Sequence, residues 1–387
     1  MNLLFLSPHF PPNFYLFCVR LREAGVTVLG LADETWPGLR EELKRALTEY
    51  RQVEWMENDD AVRRGVEHLV AKHGKLDRIE SHNEHWMELE ARLRLEFDVP
   101  GPRPDEIQHA RRKSRMKLRF REAGVPVAAG AIATDRTAAA DFAATAGYPI
   151  IAKPDIGVGA AATYKISSDA ELRAFFEEKG DREYFLEEFV RGTIVTYDGL
   201  TDQDGRIVFD ASHEYSGGVM EAVNDDLDLY YFSQRVIPPD LAGFGAKIVR
   251  AFDVRGRFFH IEFFRTPEGK LVILEANLRP PGGYTMDMFN YANDADLYAG
   301  WADIVASNRF GQVCRKPYHC CYVSRKQRFG YRHPHEEIVQ RYAVRIMMHT
   351  EMPPVFRQAM GDYAYIFRTK TVEEMEETVE FIRERRT

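Results

Sequence analysis

Short apolar runs separated by amphipathic stretches set the rhythm of the first part of the chain. Residues 2–6 (NLLFL) read as a buried strand, 14–24 as a helix ended by Gly25, and 26–31 as a second strand. Further strands are expected near 52–56 and 78–81. Strands alternating with helices predict a parallel sheet. Ligands of such sheets bind beyond the carboxyl ends of the strands, so the loops 7–13 and 81–85 lie on the candidate ligand side. Glu84 there either meets a substrate ammonium or caps the helix that follows. No G-x-G-x-x-G follows the first strand, so a dinucleotide site is not supported. Pro and Gly crowd residues 98–104 (DVPGPRP) and mark a boundary.

The pattern then changes. A helix over 113–123 closes at Gly124, and 148–154 (YPIIAKP) is a strand carrying a lysine in an otherwise apolar run. Residues 157–162 (GVGAAA) are small enough to let a backbone approach phosphates and offer its N–H groups. Residues 196–200 and 207–211 read as a hairpin across 202–205 (DQDG), and 239–252 as a helix. Segment 214–224 is polar and glycine-bearing, and fits either an acceptor site or a connecting loop. Residues 284–306 read as helical; of Asp287, Asn290 and Asp296, those near the glycine turn are candidates for substrate contact and the later ones for capping. A strand over 318–324, a basic, aromatic stretch over 325–335 and an amphipathic helix over 373–386 complete the chain.

The most informative stretch is 258–283 (FFHIEFFRTPEGKLVILEANLRPPGG). Residues 258–265 and 271–277 have strand composition, and 266–270 have turn chemistry. Closing that hairpin sets Glu262 opposite Glu275, with Asn277 on the face of Glu275. Facing carboxylates repel unless a cation sits between them. Two carboxylates and an amide carbonyl are hard oxygen donors of the kind Mg²⁺ takes, with phosphate oxygens completing the shell. Arg279 is close enough to reach an anion held there. The plain alternative is a solvated hairpin face, which the apolar composition of both strands argues against. A charge buried alone at Lys153 would be costly, so it is expected to meet an anion.

Composition narrows the class. The 387 residues suffice for two or three packed domains, and 45% hydrophobic with 29% charged residues is ordinary for a globular chain. A net charge of −8 argues against nonspecific nucleic-acid binding. The basic clusters at 111–113 and 383–386 read as solvated helix faces. The four cysteines, Cys18, Cys314, Cys320 and Cys321, have no C-x-x-C spacing, which suits a reducing cytoplasm. The apolar start is too short for a signal peptide, and no apolar run is long enough to span a membrane. No Ser/His or Cys/His arrangement for a protein nucleophile stands out.

HIEFFRTPEGKLVILEANLRPPGG resembles the metal-binding hairpin of the ATP-grasp superfamily of carboxylate–amine or thiol ligases, a Glu on one strand and Glu-x-Asn-x-Arg on the next. The resemblance implies Glu262, Glu275 and Asn277 as Mg²⁺ (or Mn²⁺) ligands and Arg279 as the catalytic residue that steadies the transferred phosphate. KSRMKLRFREAGVPV is similar to the family's entry helix, whose first lysine, here Lys113, reaches the nucleotide phosphate; the plain reading of Lys113 is a surface lysine. Lys153 falls where the family places a phosphate-binding lysine. Gly157, Gly159 and Ala160 stand in the lid over the triphosphate, although Ala160 and Ala161 depart from the usual glycine-dense loop. YFLEEFVRG matches the adenine-binding hinge: Glu187 takes the adenine amino position, and Glu188, Phe189 and Val190 supply hinge contacts. The ribose-binding Glu of some members is absent, with Ile194 near its place, leaving Asp198 as a candidate. Glu84, Gly282 and Gly283 are candidates for substrate contact. The resemblance implies an α/β chain: an N-terminal parallel-sheet domain (1–112), then an ATP-grasp fold of two α+β subdomains, the smaller with its lid (113–195) and the larger with the C-terminal region (196–387). It implies an ATP-dependent ligase that activates a small carboxylate as an acyl phosphate and joins it to an amine, similar to L-amino acid ligases. A biotin-carboxylase-like enzyme activating bicarbonate and a non-catalytic ATP-binding protein are the alternatives. The expected partners are small-molecule carboxylates and amines, with no nucleic acid and no membrane, in a cytoplasmic protein that is a monomer or a homodimer.

Overall fold

The computed structural model describes residues 1–157, 162–217 and 228–386. Its first sheet contains β1 (Asn2–Leu6), β2 (Thr27–Ala32), β3 (Glu49–Gln52) and β4 (Arg78–Glu80) in the order β3-β2-β1-β4, all parallel. The third strand lies earlier than the apolar pattern predicts. It is an edge strand, so its own residues are half-buried or exposed, while the apolar Val53 and Met56 just beyond it fill the core.

A small antiparallel sheet follows, β5 (Gly130–Ile132), β6 (Ile150–Pro154), β7 (Tyr164–Ile166) and β8 (Tyr184–Glu188), in the order β5-β8-β6-β7. The remaining strands build one nine-stranded sheet. They are β9 (Thr193–Thr201), β10 (Ile207–Ala211), β11 (His213–Tyr215), β12 (Tyr230–Ser233), β13 (Phe258–Arg265), β14 (Leu271–Asn277), β15 (His319–Arg325), β16 (Ile346–Glu351) and β17 (Tyr363–Thr369). Its order is β14-β13-β9-β11-β12-β15-β17-β16, with β10 paired to β9. The chain is thus a mixed α/β protein with a parallel-sheet unit at its start.

The stretch read as one helix over 284–306 is two, Thr285–Asn293 and Leu297–Ser307. Asp294 takes a left-handed conformation, and the Asp296 side chain accepts a hydrogen bond from the Ala299 N–H, which caps the second helix. The C-terminal helix Val372–Arg383 begins at the cap Thr371 and buries Met375, Val379 and Ile382.

Two features fix the first sheet against the large one. Phe17 of the helix Tyr15–Glu23 packs in one core with Leu200, Phe258, Tyr298 and Trp301. Arg257, at the entrance to β13, donates to Glu80 at the end of β4 at 2.8 Å. The loop after β4 is thereby held over the hairpin β13–β14.

Candidate active site

The hairpin registers as expected: Glu262 pairs with Glu275, and His260 with Asn277. Strand alternation decides which side chains face inward. Phe259, Ile261 and Phe263 are fully buried on one face, which turns His260, Glu262 and Phe264 to the other. That second face opens into a cavity of about 560 Å³, also lined by Glu275, Asn277 and Arg279 of the second strand and its exit.

The two carboxylates titrate in opposite directions. Burial pushes Glu275 up; Lys113, 3.8 Å away, opposes this, and the like charges of Glu84 and Glu262 reinforce it. Burial also pushes Glu262 up, but the hydrogen bond and charge of His260 outweigh it and hold that carboxyl below its usual value. A raised carboxyl among like charges, next to an amide, fits a hard divalent cation. Among the described residues no cluster of three or more His, Cys, Asp or Glu could hold a metal alone. The set here, two carboxylates and the Asn277 amide, leaves the rest of a shell to a ligand.

Behind these groups lies a buried triad. Glu187 of β8 accepts from Lys153 of β6 at 2.6 Å and is ion-paired with Lys117. Burial would raise the Glu187 carboxyl, but the two lysines overcome it and hold it at about 2. Burial lowers the Lys117 ammonium despite Glu187, whereas for Lys153 the charge of Glu187 outweighs burial and raises it. Sequence reasoning missed Lys117. The available signal was its spacing, four residues after Lys113 on one helix face.

The structure brings the expected side chains largely into one place. Lys113, Lys153, Glu187, Glu188, Phe189, Val190, Glu262, Glu275, Asn277, Arg279, Glu84, Gly282 and Gly283 all line this cavity. Lys113 is buried rather than a surface lysine, and its ammonium donates to the Gly157 carbonyl at 3.2 Å. Gly157 is not among the lining residues, and Gly159 and Ala160 lie outside the described residues. Glu84 sits in a single turn, Glu84–Trp86, capped by Asn83, and its carboxylate accepts from Arg279 at 3.1 Å.

The Glu187 carboxylate is paired with its two lysines. Elsewhere the structure departs from expectation. Asp198 is fully buried and cannot reach a ribose. It accepts from Thr196 Oγ1 at 2.5 Å and contacts His260 Nδ1 at 2.5 Å and His213 Nδ1 at 2.9 Å. His260 Nε2 in turn meets Glu262 at 3.0 Å, forming a chain from the core to the hairpin carboxylate. Burial alone would lower His260, but Asp198 and Glu262 push it up to about 10. Asp287 does not line the cavity; it accepts from Asn13 at 2.8 Å. The later residues cap, as expected of them: Asn290 accepts from the Leu297 N–H, and Asp296 from the Ala299 N–H.

Residues 146–287 match the model of the family described as ATP-grasp domain. The L-arginine-specific L-amino acid ligase of Bacillus subtilis is 24% identical over 229 residues, 55% of this chain and 54% of that protein. The C-terminal section of the carbamoyl phosphate synthase large chain of Methanopyrus kandleri is 24% identical over 196 residues, 47% of this chain and 35% of that protein. The chain therefore spans about a third to a half of the length of these curated relatives. The crystal structure of L-amino acid ligase from Bacillus licheniformis superposes with a TM-score of 0.72 at 14% identity, covering 98% of this chain and 96% of that one. The ATP-grasp domain match thus spans the hairpin, and the solved L-amino acid ligase shares the fold along nearly the whole chain.

Proposed function

We propose that the protein is an ATP-dependent ligase that activates a small carboxylate, an amino acid, and joins it to an amine with release of ADP and phosphate. One observation carries this reading: Glu262, Glu275 and Asn277 share a cavity with Lys113, Lys153 and Arg279. A carboxylate is a poor electrophile because its leaving group would be oxide. Attack by its oxygen on the γ-phosphorus of ATP breaks the bond to the β–γ bridging oxygen. The products are an acyl phosphate and ADP. Amine attack on the acyl carbon then expels phosphate, and the amine proton leaves to solvent. Lys113, Lys153 and Arg279 supply cationic partners for charge that develops on the phosphoryl oxygens. Glu262, Glu275 and Asn277 would hold Mg²⁺ or Mn²⁺, which neutralises phosphate charge. The backbone of residues 187–190 would meet the adenine edge.

In this reading the chain works as three units, 1–112, 113–195 and 196–387, in accord with its three sheets. Among the described residues no helix is long and apolar enough to cross a membrane, and the four cysteines are free. Both accord with a cytoplasmic enzyme, which we propose acts as a homodimer. The test is identification of the product: an isotope-labelled amino acid, ATP and a panel of amines, followed by mass spectrometry. A new amide formed in step with ADP supports the reading. ADP formation that needs bicarbonate and no amine would replace it.

A further inference from the structure

We propose that the half of the cavity beyond Arg279 and Gly283 receives the side chain of the activated amino acid, and that this side chain is apolar or aromatic. The inference rests on the ligase reading and names the substrate class it leaves open.

Tyr215 and Tyr231 line this part of the cavity and belong to a cross-strand row of tyrosines continued behind them by Tyr322. Tyr215 of β11 pairs with Tyr231 of β12, which lies beside Tyr322 of β15. The first two rings stack at 4.6 Å and 7°, the next two at 5.1 Å and 25°. The hydroxyls of the inner pair are engaged: Tyr231 bonds Thr285 Oγ1 at 2.9 Å, and Tyr322 donates to the Met360 carbonyl at 2.6 Å. Tyr231 therefore offers the cavity its ring rather than its polar end.

The short helix Pro354–Met360 adds Phe356 and Met360 to the lining, packed in one cluster with these tyrosines. Phe356 stacks on Phe10 of the loop after β1 at 5.7 Å, which ties this helix to the first sheet. Gly283 has a φ of +62°, and a Cβ there would lie 2.5 Å from Met360 Cε. Glycine at this turn therefore both accepts the left-handed backbone and lets the thioether close the wall.

Charge is distributed accordingly. The lining residues from Tyr215, Leu229, Tyr231 and the helix Pro354–Met360 carry no charge, and Glu84 and Arg279, 3.1 Å apart, line the same cavity. An amino acid carries its two charges on adjoining atoms. Its carboxylate set toward Arg279 and its ammonium toward Glu84 would point the side chain at the tyrosine and Met360 wall. Among the described residues these walls offer a charged side chain no partner, whereas an apolar one gains contact with rings and thioether.

The experiment compares leucine, methionine and phenylalanine with aspartate and lysine as the activated substrate of the full chain, at a fixed amine. ADP release gives kcat/KM, and calorimetry gives binding of leucine and 4-methylpentanoate. The expected result is a preference of at least about tenfold for the apolar set. That preference should shrink in Phe356→Ala and shift toward lysine in Met360→Glu. A flat or reversed profile with ADP still released overturns the pocket and leaves the ligase. If no pair releases ADP, the ligase reading fails; leucine and 4-methylpentanoate binding that Phe356→Ala weakens would still uphold the pocket. Absence of such binding overturns it.

Discussion

Two clusters of buried charge lie close to the hairpin, and they behave differently. In the cluster beside the end of β4, Arg257 donates to Glu80 at 2.8 Å, Arg94 to Glu90 at 2.8 Å, and Arg78 to Glu80 at 2.9 Å. Burial would raise Glu80, but Arg257, Arg78 and Arg94 hold it far below the usual carboxylate range. Both carboxylates are answered by guanidinium groups within the protein. In the cavity, Glu275 is pushed up because Lys113 answers only part of its burial and of its acidic neighbours. The lesson is that buried charge alone does not mark a site. The first cluster joins two sheets; the second keeps an unanswered electrostatic demand facing open space, where a cation and an anionic ligand can meet it.

Substitutions should separate the two. Glu275→Gln removes a cavity carboxylate, and we expect ATP-dependent ADP release to fall to background while the melting temperature stays equal or rises. Lys153→Met should cost about 10²–10³-fold in turnover, the scale of losing one group that stabilises developing charge. Steady-state kinetics checks both. Arg257→Met leaves Glu80 short of a partner and should cost about 3–5 kcal/mol of stability, read by urea unfolding. ATP affinity of the folded fraction should be unchanged, and a loss of affinity there would blur the comparison.

His260→Asn addresses the link between core and cavity. It removes the bridge between Asp198 and Glu262, and the binding of Mn²⁺ measured without turnover should weaken about 10–100-fold. The smallest effect is on the pH dependence of stability. Glu187 and Asp198 sit at about 2, below their ordinary 4.5 and 3.8. Their contribution is complete above about pH 4.5 and is lost as pH falls toward 2. His260, up at about 10 from 6.5, contributes fully below 6.5 and loses that contribution as pH rises through 10. Chemical unfolding across pH should show Glu187→Gln flattening the acid side and leaving the alkaline side in place.

Legibility in the sequence followed the range of the interactions. The hairpin was readable because strand composition and the chemistry of the 266–270 turn are local, so Glu262 and Glu275 could be set opposite each other from spacing. The parallel sheet was readable from short apolar runs alternating with helices, except at β3, where an edge position removed the apolar signal. Strands β16 and β17 were not anticipated: β16 is an edge strand of half-buried and exposed residues with no clean alternation. Asp198 looked available because its strand could be read but not its neighbours; His260 and His213 reach it from two other strands. The pairing of Glu187 with Lys117 and Lys153 joins a helix and two strands, and Arg257 and Glu80 are 177 residues apart in the chain. No local pattern carries such pairs.

The most direct measurement is calorimetric titration of ATP with Mg²⁺ into the wild-type protein, Glu275→Gln and Arg257→Met. The account predicts metal-dependent ATP binding in the wild type, the same binding in folded Arg257→Met, and loss of its metal dependence in Glu275→Gln. Metal-dependent binding retained in Glu275→Gln, or abolished in folded Arg257→Met, would contradict the division of roles between the two clusters.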